Sequence, residues 1–326
     1  MKTADLKYLL ITAARNEEAF IELTIRAMVN QTVRPVRWII VSDGSTDRTD
    51  EIVSRYAALH DWIELYRMPE RKTRDFGGKA RCFNTAYARA KHLDFDLVGN
   101  LDADLTFTED YYAFLLRKFA EDPKLGVGGT PFSEDGQVYD YRFSSADHVS
   151  GAAQMFRREC FEQIGGYVPV KGGGIDVIAV LTARMNGWHT HTFADKACEH
   201  HRPMSSANYK HKFVANLKLG QRQYCLGFHP LWQIFRSIYQ VSRKPYISGG
   251  IALFVGYFWA MARRVERPVK PELIAFQRRD QMKRLRGFLH IGRKNSAPHR
   301  EALPRTEAKE GDISVPTKVK AQPLSK

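Results

Sequence analysis

The first hundred residues alternate short apolar runs with stretches in which apolar side chains recur every three or four positions. The runs at 6–12, 36–41, 63–66 and 95–101 are typical of buried strands, and the stretches between them are typical of amphipathic helices. Strands that alternate with helices in this way predict an α/β fold, with a mostly parallel sheet flanked by helices and right-handed crossovers between strands.

Local signals place the boundaries of several helices. Asn16 is a suitable N-cap for the first helix, since its side chain can accept a hydrogen bond from a free backbone N–H. We predict further helices from Gly77 to Lys91 and from Ile175 to Asn186, the second ending before Gly187.

The pattern changes twice along the chain. Residues 125–201 contain shorter strands and many glycines, whereas residues 207–288 are helical in pattern. We therefore expect a catalytic α/β domain at 1–205 and a basic, partly apolar helical extension at 206–290. Residues 291–326 contain few large apolar side chains and are expected to be disordered.

Charge is distributed unevenly. Residues 1–201 carry 25 Lys and Arg against 29 Asp and Glu, whereas residues 202–289 carry 17 against 3. The formal net charge of +14 therefore arises mainly in the last third of the chain. Such an excess predicts an anionic partner, either nucleic acid or an acidic membrane surface. We favour the membrane, since no recognised nucleic-acid-binding motif is present.

The cysteines and the N-terminus both favour a cytoplasmic location. No two of the four cysteines form a Cys-x-x-Cys pair, and their irregular spacing predicts free thiols in a reducing compartment. The chain does not begin with the pattern of a signal peptide. We expect the catalytic part to face the cytoplasm, at the cytoplasmic side of a membrane.

Acidic residues follow two of the predicted strands. Asp43 comes after the second strand, and Asp102 and Asp104 come after the run at 95–101. Ligands bind beyond the carboxyl ends of the strands in open α/β sheets, so these carboxylates should share one rim. Two carboxylates one residue apart can hold Mg²⁺ or Mn²⁺ together with substrate phosphates. Taken alone, each could instead be an ordinary turn residue.

Other polar residues belong to the same predicted rim. Arg15 and Glu17 follow the first strand, and Lys79 follows two glycines, where its ammonium group could neutralise a diphosphate. The alternatives are that the residues after the first strand only cap the N-terminus of the following helix and complement its dipole, and that Lys79 is a solvated helix residue.

Two candidates lie further along the chain. Asp176 stands at the start of a helix behind a glycine run and could act as a general base, or it could only complement the helix dipole. His200 and His201 offer imidazoles for a metal site, and the sequence does not decide between them. Zinc is disfavoured because Cys198 and the adjacent histidines lack the usual ligand spacing.

In order along the chain, these motifs resemble those of family 2 glycosyltransferases with the GT-A fold. The resemblance covers about residues 6–202 and rests on AARNEE at 13–18, VSDGSTD at 41–47, GKARCFN at 78–84, LDAD at 101–104 and GGY at 165–167.

The resemblance implies an inverting transfer of a sugar from a nucleotide-diphosphate sugar to an acceptor hydroxyl, on a glycan or a lipid-linked acceptor. It implies that a nucleotide pocket is lined by Ala13, Arg15, Glu17 and Asp43, with Asp102 at the donor ribose or the metal. Asp104 would bind the cation, completed by one of the two histidines. Asp176 matches the aspartate of the family's Glu-Asp motif, but Ile175 replaces the glutamate.

An uncharged segment interrupts the basic helical region. Residues 245–262 read PYISGGIALFVGYFWAMA and are bracketed by Arg243-Lys244 and Arg263-Arg264. The segment is at the lower limit of length for a transmembrane helix. A spanning helix, an interfacial helix pair and a buried core helix are the alternatives. We favour attachment to an anionic membrane surface because basic and aromatic residues flank the segment.

Two rival functions stay open. A nucleotidyltransferase would use similar carboxylates but release pyrophosphate. Ile175 in place of glutamate also leaves open an inactive, sugar-nucleotide-binding scaffold. A dehydrogenase is disfavoured because no Gly-x-Gly-x-x-Gly motif follows the first strand.

Overall fold

The structure is a computed structural model of the 326-residue chain, which describes residues 6–69, 77–134, 137–138, 146–170, 172–202, 212–242 and 245–289. It contains two sheets. Their strands are β1 (Tyr8–Ala14), β2 (Arg37–Ser42), β3 (Ile63–Arg67), β4 (Leu97–Leu101), β5 (Leu105–Thr106), β6 (Leu125–Gly129), β7 (Phe132–Glu134), β8 (Gln137–Val138), β9 (Ala153–Arg157), β10 (His189–Thr192) and β11 (Cys198–His200).

Helices connect and cover these strands. They are α1 (Ile21–Val29), α2 (Thr49–Leu59), α3 (Gly77–Ala90), α4 (Tyr111–Glu121), α5 (Arg158–Gln163), α6 (Ile175–Met185), α7 (Lys212–Cys225), α8 (Pro230–Val241), α9 (Tyr246–Ala262) and α10 (Pro271–Leu289). The predicted alternation of strands and helices is confirmed, and the predicted ends of α3 and α6 are within one residue of the observed ones.

The larger sheet has seven strands in the order β10-β6-β9-β4-β1-β2-β3. Its pairs are parallel except at β9, which runs antiparallel to both β4 and β6. The expected mostly parallel sheet is confirmed. The reversed strand β9 returns the chain to the sheet centre next to β4, beside the aspartates that follow that strand.

Both faces of this sheet are buried. On β1, Tyr8, Leu10 and Ala14 point into one core and Leu9 and Ile11 into the other. Alternate residues of a strand point to opposite faces, so helices on both sides make the whole strand apolar. This explains why the strands were recognisable as continuous apolar runs.

Asn16 does not cap the first helix, contrary to the prediction. Helix α1 begins only at Ile21, and Asn16 has a left-handed backbone conformation with φ of 57°. Its Oδ1 accepts a hydrogen bond from the backbone N–H of Thr46 at 2.8 Å. The short polar side chain of Asn tolerates this conformation and joins the loop after β1 to the loop after β2.

A second, four-stranded sheet has the order β5-β11-β7-β8. β11 pairs antiparallel with β5, so that His200 lies opposite Leu105 and Glu199 opposite Thr106. Since β5 begins directly after Asp104, this pairing brings the two histidines to the aspartate pair.

Helices α7 to α10 follow the second sheet, as the pattern at 207–288 predicted. α9 packs on α7 and α8, and α10 contacts α6. All of the described residues belong to one compact unit. No helix in the described part of the chain is long and apolar enough to cross a bilayer.

Some expectations lie outside the described residues. These are the boundary at 205–206, the basic pair Arg243-Lys244 and the tail at 291–326. All four cysteines are described, and all are free thiols, as their spacing predicted.

Candidate active site at the carboxyl end of the sheet

The predicted rim exists because β1 and β2 end side by side. Ala14 is paired with Ser42, and the backbone N–H of Asp43 donates to the carbonyl of Ala14 at 2.9 Å. Arg15 and Asp43 therefore leave the sheet together, and the Arg15 guanidinium lies 3.9 Å from the Asp43 carboxylate. Ala13 lies in the same register, opposite Val41, with its side chain half-buried at the edge of the core.

The two loops at this edge are fastened to each other. The backbone N–H of Glu17 donates to Thr49 Oγ1 at 2.8 Å, and that of Glu18 donates to the Asp47 carboxylate at 3.0 Å. These bonds hold the loop after β1 in place, and the side chain of Glu17 is consequently buried. A buried carboxylate requires a partner.

Arg202 is that partner. Its guanidinium donates to the Glu17 carboxylate, and its Nε lies 3.8 Å from the carboxylate of Asp104. One cation thus joins the residues after β1 to the aspartate pair after β4. Arg202 was not among the predicted site residues. Its position next to the two histidines was the only available signal.

Asp104 also contacts His200. The distance from His200 Nε2 to Asp104 Oδ1 is 3.5 Å, and both side chains are largely buried. His201 is placed differently: its Nε2 shares a hydrogen bond of 2.9 Å with Thr106 Oγ1, and its ring stacks on Phe20. The structure therefore places the His200 imidazole, rather than that of His201, at the Asp104 carboxylate.

Asp102 is bound to Lys79. The Lys79 ammonium donates to the Asp102 carboxylate and, at 2.7 Å, to the backbone carbonyl of Gly151. Asn100 on β4 donates to the same carbonyl at 2.6 Å. Burial raises the pKa of the Asp102 carboxyl, and the neighbouring Lys79 ammonium opposes that rise.

Gly151 connects this group to Asp176. Its backbone N–H donates to Asp176 Oδ2 at 3.2 Å, and a Cβ at this position would approach the Asp176 side chain to 2.9 Å. The carbonyl side of Gly151 thus contacts Lys79, and its N–H side contacts Asp176. The Asp176 carboxylate is therefore linked to Asp102 through Gly151 and Lys79. Sequence reasoning did not identify the importance of Gly151.

Asp176 is presented by the first turn of α6. The turn before it requires Gly174, whose φ of 91° is a backbone conformation that residues other than glycine rarely adopt. Ile175 is buried in the core between α3, α6 and the sheet, which explains an apolar residue at that position. Partial burial lowers the pKa of the half-buried His148, whose ring also interacts electrostatically with Asp176.

The side chains present suit a divalent cation in part. Asp104 and His200 supply an oxygen and a nitrogen at a spacing that two ligands of one ion can adopt. Within the described residues, no group of three or more His, Cys, Asp or Glu side chains is arranged to hold a metal. Such a site fits Mg²⁺ or Mn²⁺ bound through few protein ligands, with substrate phosphates and water completing the shell.

The rim combines acidic and basic groups over a short distance. The carboxylates of Glu17, Asp43, Asp102 and Asp104 lie beside the cations of Arg15, Lys79 and Arg202. Carboxylates suit a cation or ribose hydroxyls, whereas the guanidinium and ammonium groups suit phosphate oxygens. A nucleoside diphosphate carries each of the groups that this set of side chains can bind.

Comparison with solved structures defines the class of fold. A mannosyltransferase from Pyrobaculum calidifontis, solved with GDP-Man and Mn²⁺, superposes with a TM-score of 0.54 at 19% identity, over 89% of this chain and 82% of that one. Residues 1–349 of S. aureus TarS, solved with UDP-GlcNAc, superpose with a TM-score of 0.51 at 13% identity, over 83% and 78%. The fold is that of the GT-A glycosyltransferases.

The sequence defines the family. The model of Glycosyl transferase family 2 matches residues 9–174, about half of the chain, and includes every site residue described above except Asp176, His200, His201 and Arg202. The chain belongs to this family, as the motifs indicated.

Curated relatives align over part of their length. The poly-beta-1,6-N-acetyl-D-glucosamine synthase of Staphylococcus aureus strain COL is 31% identical over 122 residues, 37% of this chain and 27% of that protein. The synthase of Staphylococcus epidermidis is 29% identical over 179 residues, 48% of this chain and 40% of that protein. The chain thus matches only about a quarter to two fifths of these relatives.

Proposed function

We propose that the protein is an inverting, metal-dependent glycosyltransferase that moves a sugar from a nucleotide-diphosphate sugar to an acceptor hydroxyl. One observation supports this most strongly: Gly151 joins the Lys79–Asp102 pair to Asp176 through its two backbone polar groups. A donor-binding group and a candidate base are thereby held on either side of a single glycine.

In this proposal the nucleotide lies over the ends of β1 and β2. Ala13, Arg15, Glu17 and Asp43 line its pocket, and Asp43 accepts hydrogen bonds from the base or ribose. Lys79 and Arg202 lie beside the aspartate pair, where each can donate to the diphosphate. Both cations already pair with carboxylates, so they are held in position before the donor arrives.

Asp104 and His200 would hold the divalent cation, with Asp102 at the metal or the donor ribose. When bound, the cation supplies Lewis-acid stabilisation of the charge on the departing diphosphate. Because the described residues offer few ligands for one ion, we expect the metal and the donor to bind together, with donor phosphates supplying further oxygen ligands.

Asp176 acts as the base on the acceptor side. The acceptor oxygen forms a bond to the anomeric carbon, the bond from that carbon to the diphosphate oxygen breaks, and the hydroxyl proton passes to the Asp176 carboxylate. A single displacement of this kind inverts the anomeric configuration. The hydrogen bond from the Gly151 N–H holds one oxygen of the Asp176 carboxylate. It thereby also orients the other oxygen, which is proposed to accept the proton.

For the acceptor we propose a glycan or a lipid-linked intermediate. The curated relatives are named as synthases of a β-1,6-linked N-acetylglucosamine polymer, and the TarS structure was solved with UDP-GlcNAc. UDP-GlcNAc is therefore the first donor to test and GDP-mannose, present in the Pyrobaculum structure, is the second.

The proposal is tested by incubating the protein with each donor, Mn²⁺ and a panel of acceptors, and by identifying the released nucleotide. Release of a nucleoside diphosphate with a glycosylated product is expected. Release of pyrophosphate would mean nucleotidyl transfer instead. Donor binding without any product across the panel would favour an inactive scaffold.

Two variants separate the roles of the carboxylates. Asp176→Asn should lower the turnover number by about 10²- to 10⁴-fold, the usual contribution of a general base, while donor binding is retained. In Asp104→Asn, the donor should no longer raise the unfolding temperature of the protein when Mn²⁺ is present. Asp61→Asn is the matched control, because this exposed carboxylate precedes β3 at the opposite end of the sheet. Normal turnover in Asp176→Asn would refute the assigned base.

A further inference from the structure

Helix α8 has its polar and apolar faces reversed. Gln233 and Ser237 are buried together with Trp232, whereas Leu231, Ile234, Ile238 and Val241 are exposed. The exposed residues are spaced three and four positions apart, so they form one face of the helix. Ile238 exposes 67% of its surface. An amphipathic helix in water normally buries this face, so its exposure indicates a partner.

The neighbouring helix α9 also exposes large apolar side chains, although it has no polar face. Its exposed large apolar residues include Ile247, Ile251, Phe254, Val255 and Trp259. Its buried face consists mainly of small residues, including Gly249, Gly250, Gly256 and Ala260. We call the exposed apolar residues of α8 and α9 the apolar helix face.

Close packing fixes α9 in this orientation. A Cβ on Gly256 would lie 2.0 Å from the carbonyl oxygen of Leu217 on α7, and one on Gly250 would lie 2.6 Å from that of Ser237 on α8. Only the glycine side of α9 can approach its neighbours this closely. Turning the large residues inward would separate the helices, so the exposed apolar face is built into the packing.

The charged residues on these two helices and directly after α9 are all basic. Neither α8 nor α9 contains an acidic residue, and Arg263 and Arg264 follow α9 directly. The Arg263 guanidinium lies 5.7 Å from the ring centre of the exposed Trp259. Aromatic and basic side chains beside an exposed apolar face are the groups that lie at the headgroup level of a bilayer.

We propose that the apolar helix face inserts into the interfacial layer of a membrane that contains anionic lipids. A second copy of the chain fits less well, because it would bring the same arginines together without acidic partners on either helix pair. The helices lie in the plane of the membrane, with their apolar residues among the acyl chains and the arginines at lipid phosphates. This goes beyond the proposed sugar transfer and does not depend on it.

The test is sedimentation of the full-length protein with vesicles of phosphatidylcholine alone, or of phosphatidylcholine with phosphatidylglycerol. Binding is expected to the anionic vesicles and to be weaker by at least tenfold with the neutral ones. Equal binding to both would overturn the requirement for anionic lipid, and binding to neither would overturn the proposal.

Ile238→Glu and Ile251→Glu should each weaken binding to the anionic vesicles about tenfold or more. Leu59→Glu is the matched control, since Leu59 is at least as exposed as either residue but lies on α2, and binding of this variant should be unchanged. Undiminished binding of both face variants would overturn the proposal. Circular dichroism verifies that each variant is folded.

Two further measurements test the arginines and the oligomeric state. Arg263→Gln and Arg264→Gln should each weaken binding about fivefold, the contribution expected of one cation near an anionic surface. Sedimentation velocity without lipid tests the competing occupant. A wild-type dimer that Ile251→Glu converts to a monomer would identify the face as an interface between copies and overturn the membrane proposal.

Discussion

The candidate site depends on buried or half-buried carboxylates that each have a cation nearby. Glu17 is bound by Arg202, Asp102 by Lys79, and Asp43 lies near Arg15. An unpaired carboxylate at these positions would be costly, so each cation stabilises the site before substrate binds. The same cations can then donate to phosphate oxygens, which links the stability of the rim to its proposed function.

The two adjacent histidines should respond differently to substitution. His200→Ala removes the imidazole beside Asp104 and should raise the Mn²⁺ concentration for half-maximal transfer by about 10- to 100-fold or more, since even the loss of an outer partner has such an effect. His201→Ala removes a bond to Thr106 and should cause a smaller shift.

Two readouts serve this comparison: Mn²⁺ titration of transfer, and Mn²⁺-dependent thermal stabilisation in the presence of a nucleoside diphosphate. The second does not require catalysis. Equal shifts for the two variants in both measurements would contradict the placement of the ion at His200.

Among single residues, the carboxylates and the cations Arg15 and Lys79 were predicted at the rim, whereas Arg202 was not. Asp43, Asp102 and Asp104 follow apolar runs in the sequence, and that position alone indicated the rim. Arg202 lies 185 positions from Glu17, and its contact depends on the pairing of β11 with β5. The catalytic and binding roles of these residues stay predictions until variants are measured.

At the level of helices, glycine determines which side of α9 packs. The residues of α9 are mostly apolar, and the sequence alone permitted a spanning, an interfacial or a buried helix. The closest approaches to α7 and α8 occur at glycines, as described for Gly250 and Gly256. Close approach of two backbones requires such residues, and the larger side chains are left outside.

Two glycine substitutions should have opposite effects on stability. Gly256→Ala places a methyl group against the Leu217 carbonyl and should lower the free energy of unfolding by about 1–3 kcal/mol. Gly287→Ala on α10 has open space around the new methyl group and should raise it by about 0.5–1 kcal/mol, because Gly is a poor helix former.

Urea unfolding followed by circular dichroism measures both changes. Gly287→Ala serves as the control for the chemical change itself. A neutral Gly256→Ala would mean that α7 and α9 separate easily, and the argument that packing fixes the orientation of α9 would fail.

In the molecule as a whole, an ion network holds the helical extension to the helix that carries Asp176. Asp280 on α10 accepts from Arg184 on α6 at 3.0 Å and lies 2.7 Å from the guanidinium of Arg284. Both arginines also lie within 3.9 Å of Asp147, in the segment that leads to Gly151. The extension therefore supports the acceptor side of the proposed site.

Asp280→Ala should destabilise the whole described unit. It leaves two partly buried guanidinium groups near each other, and the expected loss is about 1–3 kcal/mol, less than the cost of breaking a fully buried pair because these groups are partly solvated. Calorimetry should show one transition at a lower temperature, since α6 and α10 belong to one compact unit.

Glu51→Ala provides the comparison, because the Arg48–Glu51 pair is exposed to solvent and its loss should leave the unfolding temperature essentially unchanged. Two separate transitions in the Asp280→Ala protein, with the upper one unchanged, would show that the helical extension unfolds independently of the sheet.

The sequence by itself determined the alternation of strands and helices, the rim and the family, because these depend on local periodicity and on motifs that immediately follow strands. It could not determine the reversed strand β9, the link through Gly151 or the choice of His200 over His201 at Asp104. Those depend on contacts between residues far apart in the chain, which local pattern does not encode. The outward side of α9 was likewise decided only by tertiary packing, since a helix that is apolar all round can be buried through whichever side its neighbours can approach most closely.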